Sequence, residues 1–225
     1  MLNFLRMILG LALLPACWGV TRVTVDSVVT AAGRAGADYT GALCFLGGMI
    51  AFVLCWLFLP RLVRTYVFGH ELTHALWGLL FGAIPTNVKV SAKGGSVSLS
   101  KSNLLITLAP YFFPFYTFVV ILVALAVYAF CRPLPFLPAW LFLIGFTWAF
   151  HVLFTLETLS QRQPDVTTYG RIFSWTFIYI ANQIVILVGL AAVTSLTFRE
   201  VGASLAGHVV GAYRGTYAII SSYVP

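Results

Sequence analysis

Long runs of apolar residues follow one another through this chain almost without charge, and each is about the length of a bilayer crossing. Within hydrocarbon every backbone N–H and C=O must be bonded internally, and a single segment achieves this only as an α-helix. Five runs are clear, at about residues 39–60, 61–84, 103–130, 136–160 and 169–198; a sixth fills residues 3–20, interrupted by Arg6. Charged residues make up 8% of the 225 and hydrophobic residues 60%, too little polar surface for a water-soluble domain of this length. The expected fold is an all-α polytopic membrane protein with about six transmembrane helices. Residues 1–225 form a single embedded domain with one small β-hairpin.

Local chemistry refines the spans. Leu14-Pro15-Ala16-Cys17 loosely resembles a lipoprotein processing site, but Pro15 suits it poorly. The first run therefore reads as a retained helix, continuing towards Val29. Pro60-Arg61 predicts a tight turn between the second and third spans. Pro110 and Pro114 predict a break near the start of the fourth, because proline removes a helical donor and clashes with the preceding turn. Residues 199–225 read as a mixed tail with no assigned role.

The net charge of +7 comes from isolated Lys and Arg near the ends of apolar runs. No dense basic patch with interleaved aromatics is present, which argues against nucleic acid and for loop cations facing anionic lipid. Alternating six spans puts Arg22, Arg34, Lys89, Lys93, Lys101, Arg162 and Arg171 on one side, the expected cytoplasmic face. Cys17, Cys44, Cys55 and Cys131 show no C-x-x-C spacing and read as small core residues.

Against this apolar background stands His70-Glu71-Leu72-Thr73-His74, inside the third span. Residues four apart share a helix face, so two imidazoles can meet one metal ion. Glu71 is rotated by about 100° and can reach water at that metal as a general base. Three ionisable groups in five residues of a bilayer-length segment are costly unless they serve a site. A hydrolytic zinc site takes three protein ligands, and the residues leave the third open. Asp165 follows Pro164 at the expected N-terminus of the sixth span, Glu157 and His151 stand six apart on different faces of the fifth span, and His208 lies in the tail. Gly78 and Gly82, four apart on the motif helix, would admit a close neighbouring helix.

After the motif, Thr86–Ala92 and Ser96–Ser100 alternate apolar and polar residues around Lys93-Gly94-Gly95, a β-hairpin signature over residues 86–100. A hairpin is marginal alone and should lean on the helices beside the site. Its edge, at Val88 and Val90, could hold a substrate chain by strand addition once that chain is unwound.

Together, the His70–His74 helix, the following hairpin, a proline-containing span and a distant Pro164-Asp165 pair resemble the site-2 protease family of intramembrane zinc metalloproteases. The resemblance runs over roughly residues 60–185. It implies His70, His74 and Asp165 as Zn2+ ligands and Glu71 as base. It further implies hydrolysis of a peptide bond in or near the transmembrane segment of a membrane-anchored protein. Asp165 is followed by Val166 rather than the family's usual Gly, and Ala109-Pro110-Tyr111-Phe112-Phe113 lacks the family's Asn. His151 and Asn182 are the candidates for the missing substrate or transition-state donor. Two other readings remain at this stage. One is a membrane metallopeptidase with Glu157 as third ligand, and the other a metal transporter or sensor.

Overall fold

The computed structural model describes residues 2–36, 38–91 and 94–223. Ten α-helices and one two-stranded sheet follow in order among them. They are α1 (Leu2–Ala12), α2 (Leu14–Arg34), α3 (Thr40–Phe58), α4 (Val63–Leu80), β1 (Pro85–Ser91), β2 (Gly94–Leu99) and α5 (Leu104–Leu108). After a 3-10 turn at Ala109–Tyr111 come α6 (Phe115–Phe130), α7 (Leu137–Ser160), α8 (Pro164–Thr168), α9 (Arg171–Val193) and α10 (Phe198–Ser222). Residues 38–163 form one compact unit and the flanking N- and C-terminal segments form another.

By length and composition, four helical stretches can cross a membrane among the described residues: Phe4–Arg34, Thr40–Phe58, Leu137–Ser160 and Arg171–Val193. A fifth results if Leu104–Tyr111 and Phe115–Phe130, bent by 83°, count as one. Where six spans are expected, the described residues thus offer four, or five with the bent pair, and the first runs on to Arg34. Helix α4, the expected third span, falls outside this set because Arg64, His70, Glu71 and His74 dilute its apolar character. The break expected at Pro110 and Pro114 is present, with Pro110 in the 3-10 turn and Pro114 capping α6. The tail, unassigned from sequence, is the 25-residue helix α10.

In the central unit, α3 and α7 run side by side. Gly48 faces the backbone of Phe142, and Gly145 faces the backbone of Phe45, so neither position has room for a Cβ. Small residues let two helices approach where apolar burial alone gives no drive towards association. Phe52 packs edge-on against Phe146 and Phe150 (centroids 5.1 and 5.4 Å), and Trp56 packs against Phe154 (4.7 Å). These contacts step along both helices in the same direction, so the pair is parallel. Arg61, just after α3, pairs with Glu157 near the end of α7 and lies over the Trp56 ring.

The hairpin is antiparallel, with Pro85 opposite Leu99, Lys89 opposite Ser96 and Ser91 opposite Gly94. Two expectations are corrected. Register shifts between Thr86 and Lys89, where Asn87 adopts a left-handed φ of 50°, so the even alternation through Val88 is broken by a bulge. Gly94 and Gly95, expected in the turn, are strand residues of β2. The turn positions Ala92 and Lys93 lie outside the described residues.

The hairpin folds back along α4 rather than projecting beyond it. Leu99 packs on Gly78, and Gly95 sits against Val67 and Glu71. Gly78 therefore admits a strand side chain, not the neighbouring helix expected there. Gly82 lies past the end of α4 with a φ of +69°, ending the helix rather than packing it.

In the other unit, α2 packs against α10 and α9, and α1 against α9. Gly10 meets the backbone of Ile172 and Phe173, and Gly19 that of Val209. Thr197 caps α10 reciprocally with Glu200, whose carboxylate also pairs with Arg34 at 2.7 Å.

Candidate metal centre

Helix α4 delivers both histidines and the acid between them. Glu71 and His74 are each 7% exposed and Thr73 is 1% exposed, so the motif face points inward. Tyr116 of α6 lies directly on Gly69, where a Cβ would come within 2.7 Å of its ring, and its hydroxyl donates to the Thr65 carbonyl at 2.6 Å. The residue next to the first ligand candidate is thus glycine because an aromatic ring occupies the space a side chain would need.

The His74 ring is oriented by the broken span. Nδ1 lies 2.9 Å from the carbonyl oxygen of Ile106. In a continuous helix that oxygen would accept from the residue four positions on, but that residue is Pro110, which has no N–H. Asn103 holds α5 in place by accepting from the Ile106 amide at 2.9 Å. The proline that breaks the helix therefore leaves free the carbonyl that takes the Nδ1 proton. This fixes the tautomer with Nε2 unprotonated, the form a metal ion requires.

His70 has Tyr66 one turn behind it, with the phenol oxygen 3.4 Å from Nδ1. Tyr66 is itself stacked on Phe154 (4.9 Å, 9°). Beside His70 is a cavity of about 20 Å³, lined by Tyr66, Thr73, Tyr116, Phe150 and His151 among others. That is room for about one water molecule. His151, expected as a donor, is buried on α7 and borders this cavity.

Asp165 stands in the first turn of α8, behind Pro164; the start of the sixth span, expected there, is corrected, because α8 ends at Thr168 and the span helix α9 begins only at Arg171. Ligand atoms of His70, His74 and Asp165 all lie within 4.8 Å of one another, so the three could hold a metal ion. Two imidazole nitrogens and a carboxylate oxygen match the donor set of a borderline-soft divalent cation.

The other candidates fall out differently. The Glu157 carboxylate pairs with Arg61, and Glu157 is not part of the His70, His74 and Asp165 group. Asn182, on α9, donates from Nδ2 to the Ile178 carbonyl of its own helix at 2.9 Å. His208 lies on α10, with Nε2 3.0 Å from Asp26. Val88 and Val90 of β1 are exposed.

Three contributors were not singled out from sequence. Tyr66 carried a signal, since it sits four residues before His70 on the same face. The Ile106 carbonyl was legible only through Pro110. Gly95 carried none, because its role depends on β2 lying against α4. Comparison of the chain with protein-family models, characterised proteins and solved structures gives no match.

Proposed function

We propose that this protein is an intramembrane zinc metalloprotease, similar to the site-2 proteases, that cuts a membrane-anchored protein in or near its transmembrane segment. The observation that carries the reading is the grouping of His70, His74 and Asp165, with the buried Glu71 on the same helix as both histidines, in a chain built largely of bilayer-length helices. Zinc in a site of this kind acidifies water and polarises a carbonyl. Glu71 takes the proton from the attacking water and passes it to the departing amine. His151, at the cavity beside His70, supplies the second donor to the carbonyl oxygen; Asn182 is assigned no part. The exposed outer edge of β1, at Val88 and Val90, holds the unwound substrate as an added strand. The Lys89 side faces the cytoplasm.

Co-expression with single-span membrane proteins tests the reading. Native protein should generate fragments that Glu71→Gln abolishes while retaining zinc, and fragments that persist in Glu71→Gln would overturn it. Zinc analysis separates the ligand sets: Asp165→Ala should empty the site, and Glu157→Ala should leave it filled.

A further inference from the structure

Far along the sequence from the motif, a cavity of about 600 Å³ opens between α2 and α10. Its walls carry Trp18 and Arg22 from α2 and His208 from α10, and its floor is Gly207, Gly211 and Gly215. A Cβ on any of these three glycines would meet nothing within 4 Å, so the floor is bare. The volume falls within the roughly 300–1,000 Å³ of small-molecule sites.

The ionisable groups at the cavity are unequally engaged. His208 is held on both sides, with Nδ1 2.9 Å from the Ser204 carbonyl and Nε2 3.0 Å from Asp26. Asp26 is thereby committed to His208. Arg22 has no acidic partner among the described residues, and it lies exposed within the Phe4–Arg34 candidate span. An uncompensated guanidinium there is costly unless it reaches the headgroup region or an anion.

The span length fixes its depth. Arg6 and Arg22 are sixteen positions apart, about 24 Å along a helix. That is close to the roughly 30 Å hydrocarbon thickness once both side chains snorkel outward. Arg22 therefore lies at headgroup level, with Trp18, an interfacial residue type, one turn inward. The bare glycine floor continues along α10, which runs antiparallel to α2: Tyr213 bonds the Ala12 carbonyl while Glu200 pairs with Arg34. Gly211 and Gly215 thus extend from headgroup level towards the membrane interior.

From this charge pattern we infer that the α2–α10 cavity binds one anionic phospholipid, with its phosphate on Arg22 and an acyl chain along the glycine floor. The test is native mass spectrometry of the detergent-solubilised full chain titrated with phosphatidylglycerol or phosphatidylcholine. Native protein should retain one phosphatidylglycerol with about a fivefold preference over phosphatidylcholine, the weight of about one cation near an anionic headgroup. Arg22→Gln, an exposed change, should bring that preference to about one. Gly211→Leu should occlude the floor and abolish retention of either lipid, with helicity and elution position confirming that the fold is kept.

Equal retention of the two lipids by native protein would overturn the inference. So would a preference that survives Arg22→Gln, or lipid retention unchanged by Gly211→Leu. Displacement of the lipid by excess inorganic phosphate, or a dimer mass that Gly211→Leu dissociates, would replace it with a free-anion site or a self-interface.

Discussion

Substituting alanine for Gly95 tests whether the hairpin positions Glu71, the proposed general base. An ideal Cβ at that position would stand 2.6 Å from Glu71 Cγ, 2.7 Å from Val67 Cγ1 and 2.8 Å from Glu71 Oε1. Non-bonded carbons settle at about 3.5–4.0 Å, so the Glu71 side chain must withdraw by about 1 Å or β2 must lift by as much. The atoms met belong to side chains, one of them long and flexible, so the fold should survive at an overpacking cost of about 1–3 kcal/mol. Catalysis has less latitude. A displacement of about 1 Å from productive geometry costs about a hundredfold in rate, or about 2.7 kcal/mol of barrier. Gly95→Ala should therefore lower the turnover of a cleaved single-span substrate about a hundredfold at unchanged zinc content. Ser96→Ala, one residue on, should stay within about twofold of native. The assay is fragment formation by purified protein with metal measured on the same sample. Turnover within twofold of native in Gly95→Ala would refute the reasoning, because Glu71 would then be indifferent to the strand beside it.

Other consequences follow from the same geometry. Pro110→Ala supplies an N–H that competes with His74 for the Ile106 carbonyl. Chelator competition should show zinc affinity lowered about tenfold, at the weaker end of outer-shell losses, and equal affinity would refute that role. Val88→Pro, at the bulge of β1, should slow cleavage without lowering zinc content, and unchanged turnover would remove the strand edge from substrate binding. At the start of α10, pairing with Arg34 and bonds from Thr197 lower the Glu200 carboxyl from its ordinary 4.5 to about 2. A depressed carboxyl stabilises the fold above its unfolded value and loses that contribution as pH falls through the folded one. Protection of the amides around residues 198–202, relative to their intrinsic exchange rate, should therefore fall between about pH 4.5 and 2. Glu200→Gln should flatten that window, and an equal loss of protection in the variant would contradict the assignment.

What could be read from the sequence was what local chemistry decides. The shared face of His70 and His74 follows from helical spacing, and the broken fourth span follows from Pro110 and Pro114. The helical turn at Asp165 was legible because proline suits a first helical turn, but the choice of Asp165 over Glu157 and His151 came only from the family resemblance. The count of spans was harder to read, since His70, Glu71 and His74 dilute the apolar character of α4. The bulge at Asn87 and the strand role of Gly95 depend on how the hairpin lies against α4, which alternation of side chains does not encode. Helix α10 could have been anticipated: Thr197-Phe198-Arg199-Glu200 is a capping-box pattern, but Gly202, Gly207, Gly211 and Gly215 lower the helix propensity behind it.

X-ray absorption at the zinc edge, on protein purified from cells grown with zinc, tests the metal centre most directly. The account predicts one zinc per chain with two imidazoles at about 2.0–2.1 Å and oxygen donors at about 2.0–2.2 Å, the imidazole signal weakening in His74→Ala. Protein that holds no zinc, or a spectrum dominated by sulfur at about 2.3 Å, would contradict it.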